Sequence, residues 1–149
     1  MHISFLPNKT LPANQVNIVI EAVAYTAEIQ KINDYLDKYD KISDILSFND
    51  GESVRVVHQK NIMFIEVFHD ELRVTSDASV LTARGRFYKI LEHLDSDFIQ
   101  IGRATVINLN FLQSLETVFI GNPVAVMTNG QKLPISRRYL VNLKHKLGI

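Results

Sequence analysis

The sequence predicts a mostly β fold with short helices, in which neighbouring strands run antiparallel. Three observations lead to this prediction. Short segments rich in β-branched and aromatic residues recur from residue 41 to residue 135. Turn-forming residues separate them, and the clearest pair is Asn129-Gly130, which favours a tight hairpin. Helical spacing of apolar residues is confined to three stretches, and many short strands between turns are typical of antiparallel architectures.

The first 48 residues are predicted to form a strand followed by a helix. Residues 15–24 are rich in β-branched side chains, which favours a strand. Thr26 can cap the next helix, whose apolar stripe has spacings of three and four and consists of Ile29, Ile32, Leu36 and Tyr39. One strand and one helix are too small to fold alone. We therefore expect this segment to pack on the rest of the chain or on another subunit.

Residues 49–149 are predicted to form a second, larger domain. A strand is predicted at residues 42–48, just before the domain boundary, and the domain begins with a turn at residues 49–51. Further strands are expected at residues 53–58, 61–68, 72–76, 98–101, 105–107, 112–120, 124–128 and 131–135. Helices are expected at residues 83–94 and 138–147. Val106, Ile107, Leu109 and Leu112 are the expected core of the central part.

Composition limits the classes of protein that fit the chain. The 149 residues include no cysteine, so disulfides, thiolate zinc sites and cysteine nucleophiles are excluded. The N-terminus lacks the basic and apolar regions of a signal peptide. The longest apolar runs are far shorter than the roughly 20 residues that a membrane-spanning helix needs. We expect a cytoplasmic protein.

Motifs for catalysis or metal binding are not found in the sequence. No two of the five histidines have the spacing that places both on one helix face for zinc, and no phosphate-binding glycine loop or nucleophile elbow occurs. His69-Asp70-Glu71 has ligand-type side chains, but adjacent residues of a strand face opposite sides, so a solvated turn is the favoured interpretation. We expect no enzyme activity, no metal, no cofactor and no small-molecule substrate.

Charge is distributed unevenly along a chain whose net charge is zero. Residues 1–83 carry 7 Lys and Arg against 12 Asp and Glu, whereas residues 84–149 carry 9 against 4. A basic part joined to an acidic part is expected when only one part binds an anionic partner. Chance segregation of solvated charges is the alternative.

Three groups of basic side chains in the C-terminal part are candidates for binding nucleic acid. Arg103 lies in a break between two predicted strands, and Arg137-Arg138 lie where a strand gives way to a helix. Arginine binds phosphate and can contact guanine through two hydrogen bonds. Lys144, on the last helix, can reach a phosphate. Each of them can instead be an ordinary exposed charge.

Five pieces between residues 53 and 149 resemble a known family in their order. Residues 61–66 read N-I-M-F-I-E, residues 87–94 form a predicted amphipathic helix, and residues 106–109 read V-I-N-L after Phe98 and Arg103. Asn129-Gly130 and then P-I-S-R-R-Y at residues 134–139 follow. In this order the pieces resemble the LytTR-type DNA-binding domain of bacterial transcriptional regulators.

The resemblance implies an elongated, mostly antiparallel β domain whose loops enter successive major grooves of double-stranded DNA. Three regions would make contact: the turn with His69 and Glu71, the break at Arg103, and the junction at Arg137-Arg138. Gly102 departs from the basic-polar triplet common in the family, and the first loop is acidic. Glu71 can still accept a hydrogen bond from cytosine N4.

The expected function is therefore sequence-specific DNA binding by a transcriptional regulator. Residues 1–48 are expected to serve dimerisation or partner binding, since they are too few for a receiver domain and a stand-alone regulator is expected. A homodimer fits two half-sites, and the resemblance implies a membrane protein that restrains the regulator. The alternative is a protein-interaction module that has lost DNA binding, which the acidic N-terminal half and the acidic loop favour.

Overall fold

The computed structural model describes residues 2, 4–12, 16–41, 43–117 and 121–149. These residues form three helices and ten strands. The helices are α1 (Ala27–Lys41), α2 (Phe87–His93) and α3 (Arg137–Leu147). The strands are β1 (Ile45–Asn49), β2 (Val54–His58), β3 (Ile62–Phe68), β4 (Glu71–Ser76), β5 (Val80–Arg84), β6 (Phe98–Gly102), β7 (Thr105–Asn108), β8 (Leu112–Glu116), β9 (Val124–Met127) and β10 (Lys132–Pro134).

The chain divides into a small unit, Met1–Leu36, and a large unit, Asp37–Ile149. In the small unit the predicted strand is wrong for residues 16–24, which pair with no other strand of the described chain. Gln15 lies outside the described residues. A strand needs a neighbour for its backbone N–H and C=O groups, and composition alone cannot supply one. The prediction for Thr26 is confirmed, because its hydroxyl oxygen accepts from the Ile29 N–H at 3.4 Å.

The large unit contains three antiparallel sheets, which confirms the predicted mostly β, antiparallel fold. The main sheet has five strands in the order β5-β4-β3-β7-β6. A two-stranded sheet pairs β1 with β2, and a three-stranded sheet has the order β10-β9-β8. The turn between β1 and β2 contains Gly51 with a positive φ of 98°. There the Asp50 carboxylate accepts from two backbone N–H groups and pairs with Arg55, so the pKa of Asp50 lies well below its usual range.

The central strand β3 is buried on both faces. Ile62 and Ile65 belong to a first hydrophobic core, with residues of the β1–β2 hairpin, of β4 and β5, and Leu94 at the end of α2. Met63 and Phe64 belong to a second core, with residues of β9, β10 and α3. The change of face occurs at an irregularity in the pairing with β4 between Ile62 and Phe64. The main sheet therefore lies between two layers and has a fixed register.

A buried glutamine joins three segments of the large unit. Gln59 is 1% exposed, and its side-chain amide donates to the carbonyl oxygens of Ser43 and, at 2.8 Å, of His93. Its Oε1 accepts from the Asp95 N–H at 3.0 Å. The C-terminal end of α2 and the segment before β1 are thereby held against the start of β3, and the buried side-chain amide has its partners.

Several predicted boundaries need correction. The helix predicted over residues 83–94 begins only at Phe87, because Ala83 pairs with Leu72 and is buried in the first core as part of β5. The segment thus satisfies its backbone in the sheet before the helix starts. The strand predicted at residues 42–48 begins at Ile45, and Ile42 lies outside the described residues. The strand predicted at residues 112–120 is observed as β8, and residues 118–120 also lie outside them.

The expected core is confirmed for Val106 and Ile107, which are almost completely buried. Leu109 and Leu112 are only partly buried and pack at the edge of the second core. In the described ranges of the chain, no helix is both long enough and apolar enough to cross a membrane.

Replacing Gln59 by leucine is expected to lower the free energy of unfolding by about 2–4 kcal/mol, because it removes three partly buried hydrogen bonds that the side-chain amide makes with backbone groups. Urea denaturation measures the change. Gln113→Leu, at an exposed position of β8, is the matched control and should change stability by less than about 0.5 kcal/mol. Equal effects of the two substitutions would refute the structural role of Gln59.

Candidate nucleic-acid interface

Two turns of the main sheet lie side by side at one of its ends. His69 and Asp70 join β3 to β4, and Arg103 and Ala104 join β6 to β7. Both turns are at the same end because β3 and β7 are antiparallel neighbours, with Glu66 opposite Thr105. The Val67 N–H donates to the Ala104 carbonyl oxygen at 2.9 Å and so fixes the second turn beside the end of β3.

The start of α3 joins these turns. The Ser136 N–H donates to the Ile101 carbonyl oxygen at 2.9 Å, so Arg137 and Arg138 follow directly beside the end of β6. The Gln100 side-chain amide donates to the Gly102 carbonyl oxygen at 2.8 Å and lies 3.5 Å from the Tyr139 hydroxyl. Gly102 is buried and supports the turn. The structure thus brings together the predicted sites at residues 103 and 137–138.

A fourth segment reaches the same end of the sheet. Arg84, the last residue of β5, pairs with Glu71 at the start of β4. The Gly85 N–H donates to the Asp70 carbonyl oxygen at 3.3 Å, and Arg86 follows in an extended conformation before α2. The sequence prediction missed this segment because it assigned residues 83–94 to a helix. We call the four segments together (residues 69–71, 84–86, 103–104 and 136–138) the loop end.

The loop end contains most of the arginines of the protein. Five of the seven are there, namely Arg84, Arg86, Arg103, Arg137 and Arg138. All five are exposed, and in the described part of the chain none has an ion pair or a side-chain hydrogen bond. The other two have partners: Arg55 pairs with Asp50 at 3.0 Å, and Arg73 lies over the Phe68 ring at 4.6 Å. The guanidinium groups without an ion pair or side-chain hydrogen bond in the described chain are therefore concentrated at one end of the main sheet.

His69 has an unusual backbone conformation. Its φ is 61°, and it is the one residue other than glycine with a positive φ among the described residues. This left-handed region disfavours residues with a Cβ, and such conformations are concentrated at functional sites. His69 and Glu71 are both exposed, as the predicted solvated turn requires. The acidic pair Asp70-Glu71 gives this turn a charge opposite to that of the arginines around it.

Glu66 lies on β3 near the loop end and is half-buried. Partial removal from water raises the pKa of its carboxyl group above the ordinary value, and the charge of Arg73 opposes that shift. The two residues are directly opposite each other in the β3–β4 pair. Arg73 thus lies over the Phe68 ring and interacts electrostatically with Glu66.

Lys144 is separated from the other predicted contacts. It lies in the last turn of α3, about 10 Å along the helix from Arg137 at 1.5 Å per residue. Helix α3 runs back along β6 towards the opposite end of the sheet, where the Lys146 ammonium donates to the Ser96 carbonyl oxygen. Lys144 is exposed but is not part of the loop end.

A metal site is not found in the part of the chain that the structure describes. No group of three or more His, Asp or Glu side chains there is arranged to hold a metal ion. His69, Asp70 and Glu71 do not form such a group.

Comparison with known proteins identifies the domain. The family described as the LytTr DNA-binding domain matches residues 52–148. The chain belongs to the LytTR family. Its region of similarity contains β2 to β10, α2, α3 and all four segments of the loop end. LytTR is a family of DNA-binding domains, so the large unit is identified as a DNA-binding domain.

Solved and curated relatives agree with this assignment. The LytTr DNA-binding domain of a putative methyl-accepting/DNA response regulator from Bacillus cereus matches 72% of this chain and 99% of its own with a TM-score of 0.64 at 18% identity, which supports the fold. The sensory transduction protein LytT of Bacillus subtilis is 28% identical over 80% of this chain and 56% of its own length. LytR of Streptococcus agalactiae is 28% identical over 93% of this chain and 63% of its own length. The chain therefore spans a little over half of these relatives.

Replacing His69 by glycine should separate folding from DNA binding. Glycine adopts a positive φ without steric cost, so the free energy of unfolding should stay within about 1 kcal/mol of the parent or rise. Affinity for DNA should fall because the imidazole is lost. His58→Gly, an exposed histidine of β2, is the control and should lower stability by about 0.5–1 kcal/mol without changing affinity. An affinity loss shared by both variants would refute a contact by His69.

Proposed function

We propose that this LytTR domain binds double-stranded DNA in a sequence-specific manner through its loop end and thereby acts as a transcriptional regulator. The observation that carries the proposal is the set of five exposed arginines at one end of the main sheet, none of which has an ion pair or side-chain hydrogen bond among the described residues. An arginine without a partner in the protein can neutralise phosphate or bind guanine without first breaking an ion pair.

The spacing of the loops supports reading of the major groove. Neighbouring strands are about 4.8 Å apart, so the five strands at the loop end span roughly 19 Å. A major groove is about 12 Å wide. The turns at residues 69–71 and 103–104 are about two strand spacings apart, roughly 10 Å, so both can enter one groove, while the segment at residues 84–86 on the β5 side remains near the phosphates. In this proposal Arg103 and Arg137 contact bases, and His69 and Glu71 contact the bases nearest the first turn.

The remaining contacts are assigned to the phosphate backbone. Arg138 follows Arg137 at the start of α3 and is proposed to bind phosphate or to orient its neighbour. Lys144 is proposed as a phosphate contact farther along the helix. Such contacts add affinity for every sequence and make binding sensitive to salt.

We further propose that the protein acts as a homodimer in the bacterial cytoplasm, with residues 1–48 contributing to dimerisation or partner binding. The apolar side chains Val16, Ile18, Val19 and Val23 are exposed and support such a role. Two domains would then read two half-sites. We also propose, from the family resemblance, that a membrane protein restrains the regulator.

The second candidate function is a protein-interaction module without DNA binding. The acidic pair Asp70-Glu71 in the middle of the loop end favours it, because carboxylates repel phosphate. Retention on a duplex DNA column at two salt concentrations distinguishes the two functions. Salt-sensitive retention supports DNA binding, and absence of retention supports the interaction module.

Arg137→Ala is expected to weaken binding to the preferred DNA sequence by about 1–3 kcal/mol and to relax the preference at one base position, because a two-hydrogen-bond contact with guanine is lost. Gel-shift titrations with duplexes that differ at single base pairs measure both effects. The preferred duplex is first obtained by selection from a random pool.

The matched control for this prediction is Arg55→Ala, which removes an exposed arginine of β2 that pairs with Asp50. It should leave affinity and base preference unchanged. An Arg137→Ala variant with the affinity and preference of the parent would overturn the assignment of Arg137 to base reading.

A further inference from the structure

We propose that Arg84 and Arg86 form a phosphate-binding site at the outer flank of the loop end, next to the first turn. The proposal rests on the DNA-binding function proposed above and adds a fourth contact segment to the three that the sequence predicted. The segment consists of the last residue of β5, Gly85, and the residue before α2.

The sheet register fixes the position of this segment. β5 is one of the two edge strands of the main sheet, and Arg84 lies directly opposite Glu71 on β4. Residues paired in this way share a face of the sheet. The alternating residues Leu72 and Ala83 are buried in the first core, so Glu71 and Arg84 lie on the exposed face. Arg84 is thus a direct neighbour of the first turn.

Backbone contacts hold the segment against that turn. The Gly85 N–H donates to the Asp70 carbonyl oxygen at 3.3 Å, so the segment and the first turn are joined. A Cβ on Gly85 would lie 2.4 Å from Leu72 Cδ1, which shows how closely the backbone approaches the buried leucine. Arg86 has extended backbone angles, with φ −103° and ψ 126°. Arg84 and Arg86 are both exposed and are only two residues apart beside the first turn.

The chemistry of the site favours phosphate over a base. The segment is at the end of β5, three strand spacings from β7, so it lies about 14 Å or more from the Arg103 turn. Turns that occupy the middle of a major groove about 12 Å wide leave such a flank at the phosphate backbone. The exposed Arg84 and Arg86 have no ion pair in the described chain, even though Glu71 is the cross-strand neighbour of Arg84. Their charges also reduce the repulsion between the acidic turn and DNA.

The test measures affinity for a selected duplex and for an unrelated duplex of equal length, between 50 and 200 mM salt. Arg84→Gln and Arg86→Gln should each weaken binding to both duplexes by a similar factor. Each should also lower the slope of log affinity against log salt by about 0.9, which corresponds to roughly a threefold smaller loss of affinity over this range. The double variant should show about twice the change in slope.

Two controls make the result specific. Arg84→Lys with Arg86→Lys keeps the charges and should retain the slope of the parent. Lys60→Gln removes one exposed positive charge at the opposite end of the sheet and should leave the slope unchanged. Circular dichroism melting verifies that each variant is folded.

The outcomes separate this proposal from the one on which it rests. A parent protein without affinity for either duplex overturns both. A parent that binds, with Arg137→Ala altering base preference while Arg84→Gln and Arg86→Gln leave affinity and slope unchanged, overturns the flank site alone. A change of base preference in Arg84→Gln or Arg86→Gln overturns the assignment to phosphate.

Discussion

The structure depends on the burial of one strand on both of its faces. Strand β3 places Ile62 and Ile65 in the first core and Met63 and Phe64 in the second, while β4 and β7 pair with its two edges. A shift of one residue would move each of these side chains to the wrong face, so burial fixes the register strongly. The register in turn determines that the turns after β3 and between β6 and β7 lie at the same end. The placement of these two turns side by side at the loop end is therefore a consequence of core packing.

The positive charges at the loop end form no ion pairs in the described part of the fold. The arginines there are exposed and have no ion pair or side-chain hydrogen bond in the described chain, whereas Arg55 and Arg73 have partners elsewhere. Removing a loop-end arginine should therefore cost binding with little loss of stability, because surface changes away from packed features are small. His69 differs, since its positive φ is an unfavourable backbone conformation that lowers the stability of the folded state at the first turn. The two kinds of residue can be distinguished by comparing stability with affinity.

Much of this arrangement could be predicted from the sequence, because alternation and turn residues are local signals. The hairpins at Gly51, His69 and Gly130 and the start of α3 near Arg137 were located in this way. The juxtaposition of the turns could not be predicted from local signals, since it requires the pairing of strands distant in sequence. Arg84 was assigned to a helix because Phe87, Ile90 and Leu91 continue a helical spacing, and only pairing with β4 reveals a strand there. The strand predicted at residues 15–24 is wrong for residues 16–24 for the same reason, since they pair with no other strand in the described chain.

The loop end of the main sheet is proposed to be the surface that binds DNA. Titration of a selected duplex into ¹⁵N-labelled protein, followed by amide chemical shifts, tests it most directly. We expect the largest changes at the loop end, residues 69–71, 84–86, 103–104 and 136–138. Residues at the opposite end, such as Lys60, Asp95 and Asn110, should change little. Large changes at that opposite end, with an unperturbed loop end, would contradict the account.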